Sequence, residues 1–192
     1  MKFDLIKAYG RVDWEFLRLI LHKVRCPHKH INWIMVCVTS SNMVVLINGT
    51  PTNFFKISRG MRQGCALSRV LFILVMDGLN HGLSRERESG KVIGCKVTPS
   101  TYLSHLICVD ALLFLGRALL SDWHIFYQHI AKFGQASSLL LNTKKAENIV
   151  NISYDREIQQ TVALFGIKIK PLADGFKYLG FLLKPCNSEM KN

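Results

Sequence analysis

Two carboxylates stand inside apolar, strand-prone runs, and that placement constrains the fold more than any other feature of the chain. Asp4 lies in Lys2-Phe-Asp4-Leu-Ile-Lys7-Ala-Tyr9, and Asp110 lies in Leu106-Ile-Cys-Val-Asp110-Ala111-Leu-Leu-Phe. A charge carried into such surroundings is costly unless a metal ion or an arginine compensates it. Between the two lies Ser58-Arg-Gly60-Met-Arg62-Gln63-Gly64, a basic turn punctuated by glycine. Carboxylates together with such a turn suggest polyphosphate chemistry on a divalent metal.

Composition narrows the class. The 192 residues, 49% of them hydrophobic, suit one folded domain over 1–192 and exclude a disordered chain. A net charge of +12 and a pI near 9.6 favour a polyanionic partner, nucleic acid first and an anionic membrane second. No run of about 18 apolar residues exists, so no transmembrane helix is expected; of the two polyanions, nucleic acid is the expected partner and a membrane is not. The first residues enter a strand pattern at once, without a signal-peptide layout. Six scattered cysteines form no Cys-x-x-Cys pair and read as reduced small hydrophobes in a reducing compartment. Cys26-Pro-His28-Lys-His30, with Cys37 beyond, fits no standard zinc spacing.

Periodicity predicts the elements. Residues 2–6 read as a strand, and Asp13 as the cap of a helix reaching Arg25, with Leu17, Ile20, Leu21 and Val24 on one face. A second helix from Lys29 to Val38 turns Ile31, Ile34, Met35 and Val38 inward. Asn48-Gly49 predicts a hairpin joining Met43–Ile47 to Phe54–Ile57. Ser68 is the predicted cap of a long helix that ends in a charged stretch closing on Gly90. Strands follow near 92–97, 103–109 and 112–115, the last two as a hairpin around Asp110; a helix spans Asp122 to Ser137, with further strands near 147–152, 164–169 and 177–183. Helices and antiparallel strands in irregular order predict an α+β fold, with helices packed against one sheet face.

Taken together, these segments resemble the reverse transcriptases of LINE-type, non-long-terminal-repeat retrotransposons, of the kind abundant in plants. The resemblance covers roughly Lys2 to Leu183 through five motifs in the family's order. They are Lys2 to Trp14; Ser58 to Arg69; Ser104 to Ala118, with Asp110-Ala111 at its centre; Phe133-Gly-Gln-Ala-Ser-Ser138 running on to Glu147; and Tyr178-Leu179-Gly180. It implies a polymerase palm, a ferredoxin-like antiparallel sheet with helices on one face, with fingers, thumb and endonuclease largely outside this chain.

The resemblance also implies RNA-directed DNA polymerisation from deoxynucleoside triphosphates, on an RNA template and a DNA primer. Asp4 and Asp110 would hold two Mg²⁺ ions, or Mn²⁺, that activate a primer 3′-hydroxyl and neutralise the leaving pyrophosphate. The Leu5 carbonyl would help at the metals and the nucleotide. Tyr9 would stack beneath the incoming sugar and reject a 2′-hydroxyl. Arg62 would contact phosphate, while Gln63 and Gly64 would line the nucleotide pocket. Lys145 would serve the departing pyrophosphate, and Tyr178, Leu179 and Gly180 would lie along the primer.

The departures from the family pattern matter as much as the matches. The third motif normally carries paired aspartates, and the second of them is Ala111 here; the preceding aromatic is Cys108. Losing a metal-site carboxylate typically costs orders of magnitude in rate. An aspartate of the first motif is Gly10, Gln-Gly-Asp-Pro-Leu-Ser-Pro reads Gln63-Gly-Cys65-Ala66-Leu-Ser68-Arg69, and Ser138 stands where glycine is preferred. Most of these replacements are single base changes, the pattern expected of a degenerate copy drifting without selection for polymerisation. Two other readings stay open: a basic nucleic-acid-binding remnant without catalysis, and a retroelement-derived reading frame with no function. His105 reads as a satisfied strand residue, and Trp14 and Trp33 as core anchors.

Overall fold

A computed structural model describes residues 1–117, 119–150 and 167–184. In chain order its helices and strands are β1 (Lys2–Asp4), α1 (Trp14–Lys23), α2 (His28–Thr39), β2 (Asn42–Met43), β3 (Leu46–Ile47), β4 (Thr50–Pro51), β5 (Phe55–Lys56), α3 (Ala66–Glu88), β6 (Cys95–Lys96), β7 (Tyr102–Leu103), β8 (His105–Cys108), β9 (Ala111–Phe114), α4 (Leu120–Ser137), β10 (Glu147–Val150), β11 (Lys168–Pro171), β12 (Phe176–Tyr178) and β13 (Phe181–Leu183). They fall into two compact units. One holds residues 1–6, 81–130 and 141–192, and the other holds 7–80 and 131–140.

The first unit is built on a five-stranded sheet in the order β11-β10-β1-β9-β8. β1 and β9 are antiparallel, pairing Lys2 with Leu113, Phe3 with Leu112 and Asp4 with Ala111. β8 and β9 form the predicted hairpin, with Cys108 opposite Ala111 and a two-residue turn of Val109 and Asp110. Residues directly opposite on neighbouring strands share a face, and faces alternate along each strand. Phe3, Leu112 and Phe114 therefore point to one side, where Phe3 meets Phe114 edge-on at 5.9 Å and Phe114 meets Phe126 of α4 at 4.8 Å. Phe114, Phe126 and Leu112 are almost fully buried, each contributing about 1.5–3 kcal/mol of transfer energy. Asp4, Ala111 and Cys108 point to the other side.

Two additions go beyond the sequence pattern. β10 and β11 run parallel, from Glu147 beside Lys168 to Val150 beside Pro171. A parallel pair needs a crossover of roughly a dozen residues or more, and the chain between them is long enough. Residues 164–166 of the predicted strand lie outside the described residues. The strand expected near 177–183 is two strands, β12 and β13, joined at Leu179-Gly180.

The second unit holds α1, α2, two short hairpins and parts of α3 and α4. The Asp13 carboxylate accepts the Phe16 N–H at 2.9 Å, the predicted cap, an arrangement that stabilises a helix by about 1 kcal/mol. Leu17 and Leu21 of α1 and Ile31, Met35 and Val38 of α2 are buried as expected, whereas Val24 is exposed beyond the last turn of α1. Asn48 and Gly49 take φ of 51° and 84°, the conformation that a tight hairpin turn needs.

Two expectations are corrected here. Trp33 is 55% exposed and no core anchor: it stands two positions from Ile31, off the Ile31–Met35–Val38 stripe, under the Lys29 ammonium at 5.0 Å. Trp14, by contrast, donates from Nε1 to the Gly60 carbonyl at 2.7 Å. Ser68 is no cap, because α3 begins at Ala66 and the Arg69 N–H closes onto the Cys65 carbonyl at 3.3 Å. Cys65 holds the cap position, so Ala66 rather than Arg69 occupies the first helical position, where proline would help. By length and composition α3 matches a membrane-crossing helix, but its buried Leu71, Phe72, Val75, Met76, Leu79 and Leu83 mark it as a core helix.

Candidate active site

Sheet register places Asp4 and Asp110 at neighbouring backbone positions within the first unit. Asp4 ends β1 opposite Ala111, and the Leu5 N–H donates to the Asp110 carbonyl at 2.8 Å, so both aspartates stand at one end of adjacent strands. Asp4 is half-buried and Asp110 is exposed. Val109, beside it, has a φ of 53°. A β-branched residue is rare there, and the tight turn holding Asp110 imposes that strain.

Lys145 belongs to the same neighbourhood through its backbone. The Asn142 N–H donates to the Asp4 carbonyl at 2.8 Å, and Leu5 bridges Leu141. A short 3-10 turn over Thr143–Lys145 follows and leaves Lys145 exposed. Asp4, Leu5, Asp110 and Lys145 thus converge on one sheet end.

Tyr178 takes a place that the sequence does not reveal. Its ring is 8% exposed and packs with Ala111 and Leu113, against Leu115 and Phe176. Burial, and secondarily the nearby Cys108, push its hydroxyl above the usual tyrosine range. That hydroxyl has no hydrogen-bond partner among the described residues. Leu179 and Gly180, with φ of 50° and 85°, form the exposed tip of the β12–β13 hairpin. Of the three predicted residues, Leu179 and Gly180 are exposed and Tyr178 is not.

The second unit gathers the other predicted residues. Tyr9, Arg62 and Gln63 line one cleft of about 710 Å³, joined by Arg59, Met61 and the Ser41–Val44 segment. Tyr9 stacks on Phe72 at 4.6 Å, and its carbonyl accepts the Met61 N–H at 2.7 Å. A Cβ on Gly60 would stand 2.6 Å from the Gly10 carbonyl oxygen, so only glycine lets this turn approach. Gly64, at φ 86°, makes the bend into α3 rather than a wall of the cleft. Arg62 and Gln63 are exposed, which leaves a cation and an amide available to a ligand. Sequence reasoning missed Arg59 and the Ser41–Val44 wall; Arg59 carried a signal in the same basic turn, whereas the wall depends on hairpin pairing.

Chemically, the first unit offers an oxygen donor set. Magnesium is commonly held by one or two carboxylates, with water and substrate phosphates completing its shell, and Asp4 with Asp110 meets that requirement. Among the described residues no group of three or more His, Cys, Asp or Glu side chains comes together to hold a metal. Asp4 and Asp110 are the carboxylates this sheet end offers, and position 111 supplies a methyl group in place of a third.

At the α3 cap, hydrogen bonds from the Ser68 N–H, the Ser68 hydroxyl and the Leu67 N–H hold the Cys65 thiol below its ordinary range, aided by Arg62.

The chain has relatives among known proteins. The family model for reverse transcriptase (RNA-dependent DNA polymerase) matches residues 1–183. The chain is 30% identical, over 186 residues, to a retrovirus-related Pol polyprotein from the type-1 retrotransposable element R2 of Popillia japonica, covering 94% of this chain and 30% of that protein. An uncharacterized mitochondrial protein of Arabidopsis thaliana is 38% identical over 69 residues, 35% of this chain and 57% of its own length. The transposon TX1 149 kDa protein of Xenopus laevis is 30% identical over 122 residues, 62% of this chain and 9% of that protein. This chain therefore spans less than two thirds of each of these relatives. Among solved structures, apo telomerase of Candida tropicalis superimposes with a TM-score of 0.56 at 18% identity, covering 75% of this chain and 29% of the telomerase chain, and shares the fold.

Proposed function

Because this chain belongs to the reverse transcriptase (RNA-dependent DNA polymerase) family, we propose that it carries the palm of an RNA-directed DNA polymerase whose nucleotidyl transfer is crippled at Ala111. The observation that carries this reading is the register of β1 and β9, which sets Asp4 opposite Ala111 and beside Asp110. Asp4 and Asp110 would hold divalent ions, Mg²⁺ or Mn²⁺, which when bound polarise the primer hydroxyl and offset triphosphate charge. The chain's own groups do the rest. Within the second unit, Tyr9, backed by Phe72, and Arg62 are the groups that the family resemblance assigns to the sugar and the phosphates of a deoxynucleoside triphosphate. Lys145 stands near the leaving pyrophosphate, and the Leu179-Gly180 tip meets the DNA primer paired with its RNA template. Ala111 leaves the site one carboxylate short, and such a loss costs about 10–100-fold or more in metal affinity or activity.

Primer extension on an RNA template, with Mg²⁺ and separately with Mn²⁺, tests the reading. The wild-type chain should extend barely or not at all, Ala111→Asp should gain at least about tenfold, and Asp4→Asn in that background should abolish the gain. Extension indifferent to both substitutions would refute it. The net charge of +12 favours a second reading, retention of nucleic acid without catalysis, which salt-dependent binding in the absence of extension would support.

A further inference from the structure

Away from the carboxylates, the first unit has a second cleft, of about 560 Å³, between the end of α3 and the β6–β7 hairpin. Its walls carry Arg87, Tyr102, Ser100, Thr101 and Ile93. Gly94 also lines it, and a Cβ there would lie 2.3 Å from the Leu103 carbonyl oxygen, so only glycine lets these two backbone segments approach. We propose that this cleft is a binding site for single-stranded nucleic acid, with Arg87 on a phosphate and the Tyr102 ring under a base.

Charge and shape argue for it. Arg87 is half-buried, yet no carboxylate pairs with it among the described residues. Its neighbour Glu86 is already engaged by Lys91 at 2.9 Å and by His129 at 3.1 Å. A partly desolvated guanidinium without an anion is a poor resting state, and a phosphate is its best-matched fork partner. Tyr102 is 43% exposed at the same cleft, and Ile93 is 42% exposed beside it. A cation, an aromatic face and two hydroxyls within one open groove are the parts that hold a single strand with little sequence preference. A duplex offers no free base face for Tyr102, so single strands are preferred.

The test uses the full chain and a uridine homopolymer carrying a single 4-thiouridine. Ultraviolet cross-linking followed by peptide mass mapping should place the adduct at Tyr102 or its immediate neighbours. Arg87→Gln should weaken binding about tenfold and reduce the salt slope by about 0.7, the value for one phosphate contact on a single strand. Arg87→Lys should keep most of the affinity. Tyr102→Ala should weaken it on the order of tenfold, and Tyr102→Phe should not. Asp4→Asn should leave the adduct unchanged, so failure of the polymerase reading and failure of this one are separable. Adducts confined to other peptides, or affinity indifferent to both alanine and glutamine variants, would overturn the proposal. Displacement of the strand by an acidic phosphopeptide at lower concentration than by free oligonucleotide would assign the cleft to a protein partner and equally overturn it.

Discussion

Asp4 lies directly across the β1–β9 ladder from Ala111, so a carboxylate and a methyl group share one face at the end of the sheet. Tyr178 packs on that methyl group, and among the described residues its hydroxyl has no hydrogen-bond partner. Ala111→Asp would bring a third carboxylate beside Asp4 and Asp110. In metal-free buffer it should cost about 1–3 kcal/mol of stability, the usual penalty for burying a polar group with incomplete compensation. Millimolar Mg²⁺ should return most of that loss, because an ion that binds the folded state stabilises it. Adding Tyr178→Phe to Ala111→Asp should deepen the metal-free loss, since the hydroxyl would donate to the new carboxylate. Thermal melts of the single and double variants, with and without Mg²⁺, check each step.

Ser138 follows the last residue of α4 with a φ of 61°, the left-handed conformation that glycine adopts at least cost. Ser138→Gly should therefore raise stability by about 0.5–1 kcal/mol in urea titration. The neighbouring serine carries the local hydrogen bonds: Ser137 Oγ donates to the Phe133 carbonyl at 2.6 Å, and Ser137→Ala should destabilise.

Much of this architecture was legible from short-range chemistry. Asp13, Asn48-Gly49 and Ser138 each act within a few residues, so their roles follow from residue type alone. The Asp110 hairpin was legible because apolar runs flank it on both sides. What depended on distant partners was not. Cys65 took the α3 cap from Ser68 because the chain turned at Gly64, and no local preference favours a thiol there. Trp33 ranked as core by size, but the stripe of α2 passes it by. Tyr178 read as a primer contact, while its burial depends on Ala111, a position far along the chain. The parallel pairing of β11 is likewise a matter of crossover, invisible to a period-two pattern.

His105 supplies a pH dependence. Burial, and then the Arg87 charge, hold its imidazole below the ordinary value of 6.5, and Ser104 Oγ lies 2.9 Å from its Nδ1. The unfolded chain takes up this proton near pH 6.5, while the folded chain does so only at lower pH. The unfolded state binds more protons across that window, so stability falls as pH is lowered from about 6.5. Glu86, whose carboxyl Lys91 and then His129 hold below 4.5, contributes only at more acidic pH. Urea midpoints from pH 7 to 5 should decline for the wild type and flatten for His105→Gln; an unchanged slope would exclude this assignment.

Cys65 should react ahead of the other cysteines. Its thiol is held low by Ser68 and Leu67 donors, with Arg62 nearby, and thiolate fraction governs alkylation. Limiting iodoacetamide at neutral pH should label Cys65 several-fold faster than the more exposed Cys37 or Cys95, read by peptide mass mapping. Equal rates would show that the cap donors do not favour the thiolate.

The most direct test of the central arrangement is iron-driven cleavage of the backbone. Fe²⁺ substitutes for Mg²⁺ at oxygen sites and, with ascorbate and peroxide, cuts the chain where it is bound. The carboxylate pair predicts cuts at residues 3–5 and at 109–111 together, suppressed by excess Mg²⁺ and lost from both positions in Asp4→Asn. Cuts at one position alone, or cuts near Asp110 that survive Asp4→Asn, would contradict a shared ion and with it the polymerase site.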